Sequence, residues 1–531
     1  MTQTLHSLLD DPIISVRTTD DEVGGMTLPE IFEALLNEDI AGFEALQPHQ
    51  KQPWFSFLVQ VAAMATARAG LSEAPTDAAT WGRLLVELSD GSETAWCLVV
   101  DDVSQPAFLQ PPIPEGSIED AGFKADVPTP DELDMLITNK THDVKMRRIV
   151  RPAAEHWLFA LLTLQTMEGF LGRGNYGIVR MNGGFGSRPQ VGLAPQLNWG
   201  ARFSRDLAVL LAHRDQIIED NEFDAQGYAL IWLPPWDGEK SSAIPLSDCD
   251  PYFIEICRRL RFTSDDKLIC WRTNTSGTRI NAPDDLNGRT GDPWTPVDIG
   301  DAKALTLGGD GYTYELLQEL WFGNDYQRPP ALQFQRSDPE HAYLVANTLV
   351  RGQGKTQGLH QRVIPIPAEV RSLLGGSESE RQILAKRAER RVQLAADVQS
   401  DVLRGPTFTL VYAGRSPTDP NWDKINMWIE QFDRRVDERF FDDLWNSVQL
   451  GLSQDEAEVQ WHTILSKLAD ELYQEIRDSI PLPSIHRYRV LSKADGQFYS
   501  RLHSVLHRAF DNDDDEPTTQ QEETDEQPVA G

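Results

Sequence analysis

Cysteine is scarce in this sequence, and long apolar runs are missing from it. The four cysteines among 531 residues are widely scattered and form no CxxC pair, so they do not indicate a zinc site. The longest apolar stretches are broken by polar residues before they reach the roughly 18–20 residues that a membrane span needs. Residues 1–11 lack the basic and apolar regions of a signal peptide. We therefore expect a cytoplasmic protein without a metal or another cofactor.

Positive charge is also in short supply. The chain has 49 Lys and Arg against 82 Asp and Glu, a formal net charge of −33. Because Lys and Arg supply most phosphate contacts, this balance argues against broad binding of nucleic acid. Part of the acidity lies after Arg508, in a segment without aromatic residues that we expect to be disordered. The rest of the chain is still acidic, so any contact with DNA has to be local or depend on partners.

Motifs typical of enzymes are incomplete. Residues 172–177 satisfy GxGxxG, but they follow an apolar helical pattern instead of the strand that a dinucleotide site requires. Residues 354–356 end like a phosphate-binding loop, but Leu349 stands where that motif needs glycine. The dipeptide His142-Asp143 matches a metal-binding pair of phosphohydrolases, and one dipeptide builds no metal site. The sequence therefore gives no positive case for an enzyme, and a metal-dependent nuclease or hydrolase with an unrecognised site is the alternative.

The order of elements predicts an α+β fold with two domains and a tail. Residues 1–370 mix short strands, helices and long loops, and we expect them to form one large domain. This domain should open with a hairpin whose first strand is Pro12–Arg17 and whose turn contains Gly24-Gly25. Four amphipathic helical patterns follow and predict a four-helix bundle over 377–511. The acidic tail takes up residues 512–531.

Local signals in the bundle mark the helix ends. Ser377 with Glu380, and Ser453 with Glu456, have the spacing of capping boxes. The first helix is expected to end near Leu403, and its basic residues favour a solvated face, with a contact to DNA or a neighbouring subunit as the alternative. These basic residues are Arg381, Lys386, Arg387, Arg390 and Arg391.

Three short polar segments have the chemistry to contact nucleic acid. The first is basic and offers cations to phosphates and polar side chains to base edges. The second is rich in glycine, which lets the backbone approach a duplex closely. The third is a cationic hairpin tip that could enter a groove or displace a base. For each segment a plain exposed turn is the alternative. The candidate residues are Asn139, Lys140, Thr141, His142 and Lys145 in the first segment; Asn182, Gly183, Gly184 and Gly186 in the second; and Gln353, Lys355, Thr356 and Gln357 in the third.

In their order along the chain, these features resemble the CasA family, the large subunits of the type I-E CRISPR surveillance complex Cascade. The resemblance is carried by residues 28–35, 45–58, 139–145 and 182–188 and by the closing helical bundle. It is weak over residues 225–335.

The resemblance implies a non-catalytic protein of antiviral defence. In such a complex a guide RNA reads the target sequence, and the protein reads only a short protospacer-adjacent motif. By this resemblance the first loop and the glycine-rich loop approach that motif from the minor groove, and the hairpin wedges the duplex open to start an R-loop. The family wedge is described around a glutamine; whether Gln353 or Gln357 takes this role here is open.

The implied partners are target double-stranded DNA, the guide RNA complex, the other Cascade subunits and a helicase-nuclease. Among those subunits, a small helical one would contact the bundle. A helical scaffold of another assembly, with the acidic tail as an interaction arm, is a further alternative.

Overall fold

The computed structural model describes residues 4–135, 149–183, 187–264, 267–352 and 355–511. The chain divides into two compact units, unit 1 (Met1–Gly375) and unit 2 (Gly376–Gly531). Unit 1 combines helices with several small sheets and unit 2 is helical, so the predicted α+β class is confirmed. Within the described ranges, no helix is both long and apolar enough to cross a membrane.

The first part of unit 1 contains the expected hairpin. Its strands β2 and β3 pair antiparallel with Ile14 opposite Met26, but the predicted turn at Gly24-Gly25 is wrong. The chain turns at 19–22, where Asp21 has a φ of 64°, and Gly25 lies within β3. A Cβ at Gly25 would stand 2.2 Å from the carbonyl oxygen of Pro12, so the strand itself requires glycine there. The elements of this part are β1 (Thr4–Ser7), β2 (Ile14–Thr18), β3 (Val23–Met26), α1 (Leu28–Leu36), β4 (Ile40–Phe43), α2 (Lys51–Arg68), α3 (Ala78–Leu88), β5 (Cys97–Val100), β6 (Lys124–Val127), α4 (Pro130–Leu133), α5 (Ala154–Met167), β7 (Gln190–Ala194) and α6 (Trp199–Asn221).

Helix α2 forms the centre of the unit 1 core. Almost every one of its side chains is buried, as expected for a helix surrounded by protein on all sides. It packs against α5, α6 and a later strand, and the Trp54 ring meets the Phe159 ring edge-on at 5.3 Å between centroids. Aromatic pairs of this kind add roughly 0.5–1.5 kcal/mol to the stabilisation from buried area.

The second part of unit 1 consists of short strands joined by long loops. Its largest sheet has the order β18-β17-β7, and all its pairs are antiparallel. Asn347 in the central strand lies opposite Gln190 on one side and Gln361 on the other. The elements of this part are β8 (Tyr228–Leu230), β9 (Ile244–Pro245), β10 (Cys249–Ile254), β11 (Arg259–Ser264), β12 (Leu268–Thr273), β13 (Ile280–Asn281), β14 (Val297–Asp298), β15 (Lys303–Ala304), α7 (Tyr314–Phe322), β16 (Tyr326–Gln327), β17 (Ala342–Gly352), β18 (Lys355–Ile366) and α8 (Ala368–Leu374).

Unit 2 contains the four helical arms that the sequence predicts. Both predicted capping boxes are present, and the third arm ends at Ser479, shortly before Pro481. The first arm does not stop near Leu403; a π-helical segment (Val398–Leu403) carries it on to Val411. The second arm is broken into α11 and α12. The elements are α9 (Glu378–Asp397), α10 (Arg404–Val411), α11 (Asp423–Asp437), α12 (Phe440–Gln449), α13 (Gln454–Ser479) and α14 (Arg487–Asp511).

The basic residues of α9 are not all solvated as predicted. Arg387 and Arg391 are buried, whereas Arg381 and Lys386 are exposed. The Arg387 guanidinium donates to the carbonyl oxygen of Leu452, and that of Arg391 lies 5.0 Å from the centre of the Trp461 ring. Two of the five cations are therefore part of the packing of unit 2 and are not available to a ligand.

Candidate nucleic-acid interface

The hairpin of β17 and β18 reaches further than the sequence predicts. Gly352 still pairs with Lys355, so only residues 353 and 354 lie between the strands. Lys355 and Thr356 therefore belong to the paired strand β18, and the tip of the predicted hairpin is shorter than the sequence indicates. Gln353 lies outside the described residues. Backbone pairing therefore continues to within two residues of the turn.

A β-bulge lies directly below this tip. Val350 pairs with Gly358 and Arg351 with Thr356, which leaves Gln357 as an extra residue on β18. Gly358 has a φ of 149°, in the region that favours glycine, and the side chain of Gln357 is exposed. A bulge changes the direction of a side chain relative to the regular pleat. Gln357 is thus a predicted wedge residue whose side chain the strand presents to solvent.

Arg351 links this hairpin to the start of the first loop. Its guanidinium donates to the carbonyl oxygen of Met135 and forms a 3.2 Å ion pair with Glu168. Met135 is the last described residue before 136–148, the range that contains the predicted first-loop residues Asn139 to Lys145. Met135 and Leu349 also share a small apolar cluster. The hairpin tip and the start of the first loop are therefore held together, although the first-loop residues themselves lie outside the described part.

The carboxylate of Glu168 is buried at this junction. Burial raises the pKa of Glu168 above its ordinary value, and the nearby Arg351 guanidinium opposes that rise. The side chain of Arg351 is only 10% exposed. Arg351 therefore serves as an internal anchor and is not a free cation of the tip.

The residues that follow the glycine-rich loop lead into the same sheet. Gln190 at the start of β7 lies opposite Asn347, and Ala194 lies opposite Tyr343. Because β7 and β17 are antiparallel, the chain enters β7 from the side of the hairpin tip. Before β7, the buried hydroxyl of Ser187 accepts a 3.1 Å hydrogen bond from the backbone of Leu307. The end of the glycine-rich loop is thus fixed in the body of unit 1.

Both ends of the glycine-rich loop are tied to one buried carboxylate. Asp292 accepts a 2.7 Å hydrogen bond from Arg188 after the loop, and its oxygen lies 3.7 Å from the Arg180 guanidinium before the loop. Burial would raise the pKa of Asp292, but the two guanidiniums hold it below its usual value. Burial also lowers the pKa of Arg180 to about 10, at which it is still charged at neutral pH.

A second buried carboxylate supports the segment before this loop. Glu255 accepts a 2.7 Å hydrogen bond from the backbone of Val179. Burial raises the pKa of Glu255 to about 7.

Two of the predicted residues of the glycine-rich loop lie within the described part of the chain. Asn182 is half-buried, and Gly183 is exposed with a φ of 49°. Gly184 and Gly186 lie outside the described residues.

The sequence did not reveal the residues that hold these segments. Arg351 stands 183 positions from Glu168, and Arg188 stands 104 positions from Asp292, so no local spacing connects the partners. In the part of the chain that the structure describes, no group of three or more His, Cys, Asp or Glu residues could hold a metal ion.

Several solved structures have the same fold. CasA of Thermus thermophilus superposes with a TM-score of 0.61 at 15% identity, covering 94% of this chain and 100% of that one. Cse1 of Thermobifida fusca gives a TM-score of 0.62 at 16% identity, covering 94% and 98%. A chain of a CRISPR RNA-guided surveillance complex gives 0.59 at 11% identity, covering 94% and 100%.

Comparison of sequences, unlike comparison of structures, finds no match. No family model matches the chain, and no curated protein matches it. Identities of 11–16% establish a shared fold over nearly the whole length and leave the activity to be argued from the site.

Proposed function

We propose that this chain is the large, non-catalytic subunit of a type I-E CRISPR surveillance complex and that it recognises the protospacer-adjacent motif in target duplex DNA. The fold shared with CasA and Cse1 over 94% of the chain supports the assignment to such a complex. The resemblance of the loops to those of the family, together with the positions of the described residues that flank them, supports the role in motif recognition.

The observation that carries the proposal is the junction at Arg351. A motif of a few base pairs extends only about 10 Å along a duplex, since successive pairs are about 3.4 Å apart. Segments that read it must therefore emerge close together. Arg351 holds the start of the first loop against the hairpin, and the pairing of β7 brings the end of the glycine-rich loop to the same end of the sheet.

The division of labour follows from the chemistry of each segment. Lys140 and Lys145 would hold phosphates, and Asn139, Thr141 and His142 would reach base edges. The glycine-rich loop would bring its backbone into the minor groove, whose degenerate pattern lets several related motifs be accepted. Pairing with the guide RNA would then supply sequence specificity, so the protein needs only a local grip. Such a local contact needs only a few cations, so the proposal is compatible with the net charge of −33.

The hairpin would separate the strands next to the motif. Opening a base step costs a few kcal/mol, which binding of the motif has to offset. A hairpin whose strands pair as far as Gly352 and Lys355 loses little conformational entropy when it inserts, and Gln357 is an exposed side chain at its bulge. The remaining partners in the proposal are the guide RNA complex, the small helical subunit at the bundle and a cytoplasmic helicase-nuclease that degrades the opened target.

The test uses the assembled complex with guide RNA and a duplex that carries the motif. We expect the combined variant Gln353→Ala, Lys355→Ala and Gln357→Ala to slow strand opening about tenfold, equivalent to about 1.4 kcal/mol, while initial binding changes far less. Opening is followed by 2-aminopurine fluorescence beside the motif, and initial binding by anisotropy of a duplex that cannot open.

Gln361→Ala is the matched control, because Gln361 is exposed on the same strand about 13 Å further from the tip. It should open DNA at the parental rate. Normal opening by the triple variant would refute the wedge assignment. Equal binding to duplexes with and without the motif would refute motif recognition as a whole. Metal-dependent cleavage of DNA by the chain alone, abolished by His142→Ala and Asp143→Ala, would favour the nuclease alternative.

A further inference from the structure

One short segment of unit 1, residues 288–292, contacts the residues on both sides of the glycine-rich loop. We call this segment the loop seat. The hydroxyl of Thr290 accepts a 3.4 Å hydrogen bond from Arg180, and the carboxylate of Asp292 accepts one of 2.7 Å from Arg188. All four side chains are buried. The loop seat therefore holds the chain where it enters the loop and where it leaves it.

The first residue of the loop seat packs against the backbone of the loop. Gly288 has a φ of 80°, and a Cβ there would stand 2.8 Å from both the carbonyl carbon of Met181 and the nitrogen of Asn182. It would also stand 2.9 Å from the Cβ of Ala304. Ordinary contacts between such atoms lie at about 3.5–4.0 Å. Only a residue without a side chain lets the seat and the loop approach this closely.

Asn182 is the residue that this contact places. The backbone N–H of Gly183 donates to the carbonyl oxygen of Met181 at 2.9 Å, which closes a tight turn centred on Asn182. The side chain of Asn182 is half-buried and forms no hydrogen bond with the described residues. Its position therefore depends on the backbone that carries it, and that backbone packs on Gly288.

We propose that the loop seat, through Gly288, positions Asn182 against the minor-groove edge of the motif. This role rests on the proposed function of the glycine-rich loop. An asparagine amide has both donors and an acceptor, and in the minor groove it can distinguish A·T from G·C by the amino group of guanine. Hydrogen bonds span about 2.7–3.2 Å, so a displacement of about half an ångström takes such a contact out of range. Gly288 is thus a positioning residue, and Asn182 is the residue that meets DNA.

The first measurement contains no nucleic acid and tests the seat alone. Gly288→Ala places a methyl group against the peptide bond between Met181 and Asn182 and should push it away by about 0.7 Å, the shortfall from an ordinary contact. Hydrogen-exchange mass spectrometry of the full chain should then show faster exchange in a peptide that covers Asn182 and Gly183.

Gly238→Ala is the matched control. Gly238 also lies in unit 1, has a φ of 85° and would place a Cβ 2.9 Å from its nearest neighbour. That neighbour is the side chain of Arg259, which is not part of the loop seat or of the glycine-rich loop. The control variant therefore carries similar backbone strain and crowding, and exchange in the glycine-rich loop should stay at the parental rate.

The second measurement uses the assembled complex with guide RNA. Its readout is the ratio of two dissociation constants, one for a duplex with A·T and G·C pairs exchanged within the motif and one for the intact motif. A merely structural role would lower the fraction of active complex, which leaves this ratio unchanged. Gly288→Ala should reduce the ratio about tenfold, equivalent to about 1.4 kcal/mol. Gly238→Ala should keep the parental ratio.

A double-mutant cycle tests whether Gly288 acts through Asn182. Asn182→Ala removes the amide and should lower the ratio by a similar factor. Adding Gly288→Ala to Asn182→Ala should then change the ratio less than twofold, because the contact that the methyl group displaces is already gone. Two independent tenfold losses would show that Gly288 acts by another route and would overturn the inference.

Assembly with guide RNA checks that each variant folds. If Gly288→Ala does not assemble, Thr290→Val replaces it, since this substitution removes the acceptor of Arg180 without adding volume. It should raise exchange in the same peptide and lower the ratio about threefold, a smaller effect because one weak hydrogen bond is lost.

The outcomes separate this inference from the proposed function. Unchanged exchange and an unchanged ratio in the seat variant would overturn the inference and leave motif recognition standing. Equal responses of Gly288→Ala and Gly238→Ala would overturn it too, because the loop would then respond to strain anywhere in unit 1. Equal binding of both duplexes by the parent complex would refute motif recognition itself, and with it the role of Asn182.

Discussion

The interior of unit 1 and the exposed surface of α14 use arginine for opposite purposes. Inside unit 1, Arg279 donates to the carbonyl oxygens of Ile231, Pro234 and Ser242, and almost none of its side chain is exposed. On α14, Arg487 and Arg489 are exposed to solvent and form no side-chain hydrogen bond within the described residues. The number of Lys and Arg residues in a sequence therefore does not give the number that are available to bind a ligand.

The interior arginines explain how unit 1 stabilises its long loops. A guanidinium has five N–H donors, so one buried side chain can donate to several backbone carbonyls at once. Arg261 does this for Val100, Asp102 and Gln105. Burial lowers the pKa of Arg261 to about 10, which still leaves it charged at neutral pH. Such arginines stabilise the fold, and removing their partners should lower the free energy of unfolding.

The largest expected effect comes from removing a buried partner. Asp292→Asn leaves the guanidiniums of Arg180 and Arg188 buried without their carboxylate, and we expect unit 1 to lose about 3–5 kcal/mol of unfolding free energy. Hydrogen-exchange mass spectrometry measures this separately on peptides from each unit. Peptides from unit 2 serve as the internal control.

A matched substitution in unit 2 tests the same kind of ion pair where it is exposed to solvent. Glu475 pairs with Arg435, but its side chain is 52% exposed. Glu475→Gln should cost no more than about 1 kcal/mol, because solvent screens the pair. If the two substitutions destabilised their units equally, burial would not be the reason that the arginines of unit 1 matter.

A second, intermediate effect depends on pH. The pKa of Glu255 is about 7 in the folded chain, above the ordinary 4.5, because burial disfavours the charged form. The folded state then binds the proton more tightly than the unfolded state. Stability from this group is greatest below about pH 4.5 and falls as the pH rises towards 7.

Glu255→Gln carries no such titration. The stability of the variant relative to the parent should rise by about 2–3 kcal/mol between pH 5 and pH 8. Chemical denaturation at several pH values, read on unit 1, measures this difference. A constant difference across that range would mean that Glu255 is ionised in the folded chain and stabilised by Arg180 and Arg188.

The sequence predicted the elements whose causes are local. Capping boxes at Ser377 and Ser453 mark real helix starts, because the cap and its partner are three residues apart. The four helical arms of unit 2 follow from apolar spacing. The first arm ran past its expected end because the π-helical segment keeps Val402 and Leu403 buried and lets the helix continue.

Contacts between distant parts of the chain could not be predicted. Nothing near Arg351 indicates that it would turn away from the hairpin tip to meet Met135 and Glu168. Gly24-Gly25 suggested a turn, yet Gly25 is needed where β3 passes the carbonyl of Pro12. For the candidate site, the sequence nominated the segments, while the residues that bring their ends together appeared only in the fold.

The smallest expected effect is the loss of a helix cap, which we expect to be the same in both units. Thr27 and Glu30 in unit 1 cap α1 in the same way as Ser453 and Glu456 cap α13 in unit 2, each through reciprocal bonds between side chain and backbone. Thr27→Ala and Ser453→Ala should each cost about 1 kcal/mol, because each leaves one backbone N–H at the helix start without its acceptor. Hydrogen exchange in the first turn of each helix measures the loss, and Thr27→Ser and Ser453→Thr should retain most of the stability. A much larger loss at Thr27 alone would show that the packing of unit 1 amplifies even a local defect, and the contrast between the units would then extend beyond their arginines.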